Sequence, residues 1–165
     1  MSGPTRDRPQ MPEGYGVEQA EAYVEWDQVE SKLQQSRNYW LATTRPDGRP
    51  HVVPRWGVWL DGLFWYDGSP ETLHVRNLVG DPHCVLHLED GMDVTIVEGR
   101  SVQSEPITGE LGERLAAEYA RKYGPEYTPG PDAWSDEIAG GMRKLIAEKV
   151  LAWTEFPKDL TRFIF

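Results

Sequence analysis

Hydrophobic positions in the first half of the chain change from helical spacing to the alternation typical of β-strands. Trp26, Val29 and Leu33 fall on one face at helical spacing, which predicts a helix from about Ala20 to Arg37. Three apolar runs follow and predict a meander of strands, over Tyr39–Thr44, His51–Leu60 and Leu63–Tyr66. The turns between them are predicted at Pro46–Arg49 and at Asp61-Gly62, a two-residue hairpin signal.

The second half of the chain mixes both periods. The pattern predicts helices over Pro70–Val79, over Thr108–Tyr123 and around Ile138–Ile146, and strands over His83–Leu88, Val94–Ser104, Val150–Phe156 and Arg162–Phe165. The order of helices and strands is typical of an α+β fold with a mainly antiparallel sheet.

Length and charge limit the function classes. The chain has 165 residues, which fits one domain, and residues 1–16 are rich in proline, glycine and charge, which predicts a flexible tail before a domain over residues 17–165. A net charge of −10 repels phosphate backbones, so we expect no nucleic-acid partner. An anionic cofactor would need a local basic pocket to overcome that field.

The thiol content and the lack of apolar segments indicate the compartment. Cys84 is the only cysteine, and a lone thiol fits a reducing environment. No apolar run approaches the ~20 residues needed to cross a bilayer, and the N-terminus lacks a signal-peptide core. We therefore predict a cytoplasmic protein without a membrane partner.

The common catalytic motifs are missing from the sequence. It contains no G-x-G-x-x-G, no Walker sequence and no G-x-S-x-G nucleophile elbow. The four histidines, His51, His74, His83 and His87, share no ligand spacing with a cysteine pair, so the sequence predicts no metal site. It also designates no catalytic residue.

Two segments carry polar groups that plain structure explains poorly. Thr72, His74 and Arg76 stand at the start of a short predicted helix, where a hydroxyl and a cation suit a phosphate; an ordinary helix cap is the alternative. Arg55 lies in an apolar, aromatic strand and either faces solvent or holds an anion. Trp153 near the C-terminus is either a core residue or a cofactor contact.

Together these segments resemble the flavin/deazaflavin oxidoreductase branch of the pyridoxamine 5'-phosphate oxidase superfamily. The resemblance runs from about residue 26 to the C-terminus and is carried, in order, by Asn38–His51, Trp56–Trp59, Val75–Leu78, Asp81-Pro82, His87–Gly91, Val97–Gly99 and Ala152–Thr154. It implies a six-stranded split β-barrel with flanking helices and a homodimer whose interface holds the cofactor.

The resemblance also implies roles for individual residues. Arg55 and Trp56 would line the ring or ribityl side of the cofactor, and Tyr66 would lie near it at the end of its strand. Trp153 would approach from the partner subunit.

The implied phosphate site departs from the family pattern. Thr72, His74 and Arg76 would face the phosphate, but relatives often carry Arg or Lys at the positions of Thr72, Leu73 and His74. Only a protonated His74 would be a cation, and an unperturbed histidine titrates near ~6.5. On this basis we expect cofactor affinity to be highest in mildly acid solution.

The function implied by the resemblance is an oxidoreductase. Its cofactor would be the deazaflavin coenzyme F420 or FMN, and it would transfer a hydride to or from a small conjugated organic substrate. Trp56, Trp59 and Trp65 would suit a flat substrate stacked on the cofactor ring. The alternative is a non-catalytic protein of the same fold that binds or sequesters a flavin or, less favoured, haem.

Overall fold

In the computed structural model of the chain, residues 3–14 and 22–165 are described. The described strands are β1 (Thr5–Asp7), β2 (Tyr39–Thr44), β3 (Pro50–Arg55), β4 (Val58–Leu60), β5 (Leu63–Tyr66), β6 (His83–His87), β7 (Val94–Gln103), β8 (Arg143–Trp153) and β9 (Thr161–Ile164). The described helices are α1 (Trp26–Gln35), α2 (Leu73–Gly80) and α3 (Gly109–Tyr123), with a short 3-10 turn at Ala139–Gly141. None of these helices is long and apolar enough to span a membrane.

All strand pairs of the described sheet are antiparallel, and the sheet order is β1-β9-β8-β7-β6-β2-β3. β8 has eleven residues and two partners along one edge. Its first half pairs with β5, from Arg143 to Ile146, and its second half pairs with β9, from Lys149 to Ala152. The sheet therefore splits along β8.

β3 and β4 are two halves of one bent strand, interrupted at Trp56-Gly57. β3 pairs with β2 at one side of the sheet, whereas β4 pairs with β5, which returns to β8. Counting β3 and β4 together, six strands run around the core without hydrogen-bonded closure at the bend. The predicted α+β, mainly antiparallel split β-barrel with flanking helices is confirmed.

Groups from α3 satisfy the backbone at the bend. The Gly57 N–H donates to the Tyr123 hydroxyl at 2.9 Å, and the Lys122 Nζ donates to the Gly57 carbonyl at 3.0 Å. Buried peptide groups that leave a sheet need such partners. Residue 57 must also be glycine, because a Cβ there would lie 2.4 Å from Phe64 Cζ and 2.6 Å from the Trp65 carbonyl oxygen.

Two apolar clusters hold the sheet and helices together. One fills the barrel and joins residues of α1 to the strands, among them Val29, Leu33, Tyr39, Leu41, Phe64, Leu86, Val97, Leu145, Val150 and Phe163. The other lies under α3 and contains Val58, Trp65, Ile107, Leu115, Tyr119, Tyr123, Trp134 and Met142. Burial of these side chains is the main stabilising term of the fold.

The predicted helix around Ile138–Ile146 is wrong. Gly140 and Gly141 adopt φ of 57° and 81° within the 3-10 turn, so the chain leaves helical geometry there. From Arg143 onward it pairs with β5 and β7, and burial alternates along the strand. The conformation here was decided by strand pairing with distant residues and not by the helical spacing of the apolar residues.

Part of the predicted N-terminal tail forms a strand in the structure. Within the predicted flexible tail over residues 1–16, Thr5–Asp7 form the edge strand β1, which pairs with β9. Asp7 accepts two hydrogen bonds from Arg162 at 2.7 and 2.6 Å. Local composition carries no signal for this long-range pair.

The first helix is shorter than its apolar spacing indicates. It begins at Trp26 rather than Ala20, which lies outside the described residues, and it ends at Gln35. Glu25 and Gln28 form a capping box that fixes this start. The third helix, α3, matches its prediction within one residue, and α2 begins three residues later than predicted.

Gly57→Ala should destabilise the fold, because its Cβ would meet a ring carbon and a backbone oxygen that other contacts hold in place. We expect a loss of about 3 kcal/mol, or roughly 10 °C in Tm, in thermal or urea unfolding. Gly91→Ala is the matched control, since a Cβ there meets no atom within 4 Å. Equal stability of the two variants would contradict the close packing at the bend.

Candidate functional site

The bend between β3 and β4 opens onto a pocket of about 400 Å³. The bend, the end of β5 and the region from α3 into the following loop supply its walls, which are formed by Pro54, Arg55, Trp56, Asp67, Tyr119, Glu126 and Tyr127. The pocket therefore combines three aromatic side chains with one cation and two carboxylates.

Arg55 lies at the end of β3 and is half-buried, not on an open solvent face. Its Nη2 donates to the backbone carbonyl of Asp67, while its buried Nε has no hydrogen-bond partner. An unpartnered buried donor on a guanidinium is costly, and a bound anion would satisfy it. The guanidinium carbon also lies 6.0 Å from the centre of the Tyr66 ring.

His74 is buried beside Arg55, with 4% of its surface exposed. A Cβ at Gly68 would lie 3.1 Å from Arg55 Nη2 and 3.4 Å from His74 Nε2, so both groups line the space beside that glycine. The pKa of His74 is lowered to about 4, chiefly by burial. The nearby Arg55, His51 and Arg143 act in the same direction, with Arg55 the largest of the three. His74 is therefore a neutral imidazole above about pH 5.

Arg143 is a third member of this group that the sequence reasoning missed. It is buried at the start of β8 and donates to Ser101 Oγ at 3.2 Å and to the Ser101 carbonyl at 2.8 Å. The same Ser101 Oγ is hydrogen-bonded to the Tyr66 hydroxyl at 2.6 Å. We missed Arg143 because we predicted a helix over Ile138–Ile146. A charged residue within an apolar segment was nevertheless a usable signal of a binding site.

We call Arg55 and Arg143, together with the neutral imidazole of His74, the cation cluster; its positive charge comes from the two arginines. Among the described residues, no carboxylate lies within ion-pair distance of either arginine. Buried or half-buried guanidinium groups are normally paired. An uncompensated cluster of this kind suits an anionic ligand group such as a phosphate.

Trp56 presents a flat ring at the edge of the pocket. It is 39% exposed and stacks on Tyr123, with ring centres 4.7 Å apart and planes inclined by 14°. The Arg37 guanidinium lies 5.6 Å from the Trp56 ring centre. The bend at Gly57 and the stack on α3 fix the position of this ring.

Asp67 and Tyr127 form the opposite side of the pocket. The Tyr127 hydroxyl donates to Asp67 Oδ2, and burial, this hydrogen bond and the Asp67 charge raise the Tyr127 pKa. Within the described residues, no cation lies within ion-pair distance of the Asp67 carboxylate. Glu126 is exposed and its carboxylate lies 3.4 Å from Arg37.

The structure brings together four of the seven predicted site residues: Arg55, Trp56, Tyr66 and His74. Tyr66 is fully buried, its ring centre lies 6.5 Å from that of His74, and burial raises its pKa to about 12. It supports the cation cluster from the core and does not line the pocket.

The other three predicted residues lie apart from the cluster or at its margin. Thr72 precedes α2 and donates to the Ser69 carbonyl at 2.8 Å, although its Oγ1 also lies 3.5 Å from His74 Nε2. Arg76 is exposed and lies on the opposite side of α2 from His74, because residues two positions apart in an α-helix are rotated by about 200° around its axis. Trp153 ends β8, about 30 Å along the strand from Arg143 in the same subunit.

Comparison with solved structures shows the same fold in several proteins. The conserved hypothetical protein Rv2991 from Mycobacterium tuberculosis is 23% identical with a TM-score of 0.61, and the match covers 83% of this chain and 89% of that one. A heme binding protein from Mycobacterium smegmatis is 16% identical with a TM-score of 0.59, over 82% of this chain and 57% of that one. An F420 reductase is 20% identical with a TM-score of 0.50, over 83% and 94%.

The family follows from a match to the sequence itself. No curated protein sequence matches the chain significantly. The family model described as pyridoxamine 5'-phosphate oxidase, however, matches residues 26–155, which include β2–β8 and the three described helices. With the split barrel observed in the structure, this match shows that the chain belongs to the pyridoxamine 5'-phosphate oxidase family.

Proposed function

We propose that this protein is an oxidoreductase that binds a deazaflavin of the F420 type, or FMN as the second choice, and transfers a hydride between that cofactor and a small conjugated organic substrate. The observation that carries the proposal is the cation cluster, which lacks a carboxylate partner and adjoins an aromatic pocket. A cofactor with a phosphate at one end and a flat ring at the other has matching chemistry.

The residues present fit the anionic end of such a cofactor. The chain carries a net charge of −10, so an anion needs local cations to bind at all. Arg55 offers a buried Nε without a partner, and neutral His74 offers one ring N–H as a hydrogen-bond donor. This replaces our expectation that a protonated His74 strengthens cofactor binding in mildly acid solution.

The cofactor, when bound, supplies the hydride chemistry, and the chain supplies position and environment. Arg55 would hold the anion, while Trp56 at the edge of the pocket would shield the ring from water. No side chain is designated as the proton donor. An F420 reductase has a similar structure, and on that basis we propose the deazaflavin for this chain. The similarity itself shows only the fold.

A non-catalytic binding protein is the second candidate. The heme binding protein among the similar structures suggests haem as the ligand of this alternative. In the present chain, His74 is a neutral imidazole and so has the protonation state of an iron ligand. The uncharged start of α2, with Thr72 and Leu73, also weakens the helix end as a phosphate site.

Titration of the purified chain with F420, FMN and hemin, read by fluorescence quenching and visible absorption, tests the proposal. We expect the deazaflavin to bind tightest, and Arg55→Met to weaken it by roughly 10- to 100-fold, as expected for a charge-assisted contact. Arg76→Met is the matched control and should change Kd less than threefold. Tight binding of hemin alone would favour the second candidate.

An equal loss in Arg76→Met would place the phosphate on the outer face of α2, as the resemblance implies for Arg76. Melting of each variant without cofactor separates binding from folding. Hydride transfer to a surrogate acceptor in a single turnover then distinguishes an enzyme from a carrier.

A homodimer belongs to the proposal, because Trp153 lies too far along β8 to meet Arg55 within one subunit. Light scattering at micromolar concentration should give twice the 18.8 kDa chain mass. Trp153→Ala should weaken cofactor binding by about tenfold, whereas Trp153→Phe should retain most of the affinity. A monomer would contradict both the dimer and the role of Trp153.

His74 should make folding stability depend on pH. Its folded pKa of about 4 lies below the unfolded value of about 6.5, so the unfolded chain gains the proton first as pH falls. Stabilisation is complete above pH ~6.5 and is lost towards pH ~4. His74→Gln should lose about 2 kcal/mol less than the wild type over this range in urea unfolding; parallel curves would contradict the burial of His74 beside cations.

A further inference from the structure

Asp67 is the one half-buried carboxylate of the pocket, and its charge lacks a counter-ion among the described residues. It follows β5 directly, so a strand end holds its backbone, and the Asp67 carbonyl accepts from Arg55 Nη2. Tyr127 donates to Oδ2, and Oδ1 accepts no hydrogen bond from the described residues. Oδ1 is not among the fully buried oxygens, so this carboxylate oxygen is free to accept a hydrogen bond from a ligand.

The positive charge of Arg55 does not compensate Asp67 within the pocket. Its Nη2 is committed to the Asp67 backbone oxygen and lies beside the Gly68 and His74 side of the structure. The remaining charged wall residue, Glu126, is also acidic, but it is exposed and pairs with Arg37 at 3.4 Å, so Asp67 is the unpaired carboxylate of the pocket. The pocket thus has an acidic, aromatic half, formed by Asp67, Glu126 and Tyr127, whereas His74 and Arg143 lie outside its lining.

We propose that the acidic half is the substrate side of the pocket and that it selects aromatic molecules carrying a positive charge or an N–H donor, which bind Asp67 Oδ1, over aromatic anions. Tyr127 supplies a ring surface for the flat body of the ligand, and the buried Tyr119 packs against Tyr127 with ring centres 5.4 Å apart. The net charge of −10 adds a general bias against anions. Only the identification of the bound molecule as a substrate rests on the proposed function; the charge selectivity does not.

Two fluorescent tricyclic probes of similar size test this selectivity: 9-aminoacridine, a cation, and 9-anthracenecarboxylate, an anion. Binding to the full chain without cofactor is measured by dye anisotropy at fixed ionic strength. We expect the cation to bind at least about tenfold tighter than the anion, as for a charge-assisted contact. Saturating FMN should leave the cation bound.

Variants at residue 67 locate the effect. Asp67→Asn should remove most of the preference while keeping shape and an acceptor for Tyr127. Asp67→Glu keeps the charge and should keep the preference. Glu113→Gln is the matched control, since it removes one exposed acidic charge from α3 outside the pocket and should change nothing.

The proposal is overturned by equal binding of both dyes, by tighter binding of the anion, or by no binding of either. It is also overturned if Asp67→Asn and Glu113→Gln act alike, since the net charge would then explain the preference. Displacement of the cation by FMN would assign this half to the cofactor instead. Failure of the cofactor titration with retained dye selectivity would refute the proposed function alone.

Discussion

The position of the pocket depends on one interruption of the sheet, at Trp56-Gly57. A peptide that leaves a ladder inside a protein must find other hydrogen-bond partners, and here Tyr123 and Lys122 of α3 provide them. Lys122 is buried, which together with the charge of Arg121 lowers its pKa to about 7, against an opposing effect of Glu118. The bend thus binds α3 to the barrel and places Arg55 and Trp56 at its open end.

The fork along β8 is the second consequence of that bend. Because β4 departs from β3, β5 can pair with the first half of β8, and this brings Arg143 opposite Tyr66. Ser101 on β7 then links the Tyr66 hydroxyl to the Arg143 guanidinium. Residues at least 35 positions apart in sequence meet here, and the cation cluster depends on this pairing.

Charge is divided across the pocket although the chain as a whole is acidic. Asp67 and Glu126 line the pocket together with Arg55, whereas the second arginine of the cation cluster, Arg143, is buried outside its lining. Water screens the half-buried Asp67 and the buried Arg143 less than it screens charges on an open surface. Such a division suits two ligand groups of opposite character, one anionic and one that donates hydrogen bonds.

The sequence by itself determined the elements whose signals are local. Asp61 and Gly62 adopt φ of 54° and 73°, as the hairpin signal predicts, and Tyr39–Thr44 and α3 follow their apolar patterns. The order of the motifs was also enough to indicate the fold and the family, which the match over residues 26–155 confirms. Arg55, Trp56, Tyr66 and His74 lie within or beside those motifs, and the structure brings them together.

Only the tertiary structure decided the features that rest on long-range pairing. The segment from Ile138 to Ile146 has helical spacing, yet two glycines with positive φ end the helical geometry, and pairing with β5 and β7 makes its last four residues a strand. Thr5–Asp7 became a strand through β9, and Arg76 turned outward because His74 packs inward. The periodicity of apolar residues predicts the conformation of one segment at a time. The burial of Arg143 and the free oxygen of Asp67 depend instead on which distant segments pack together.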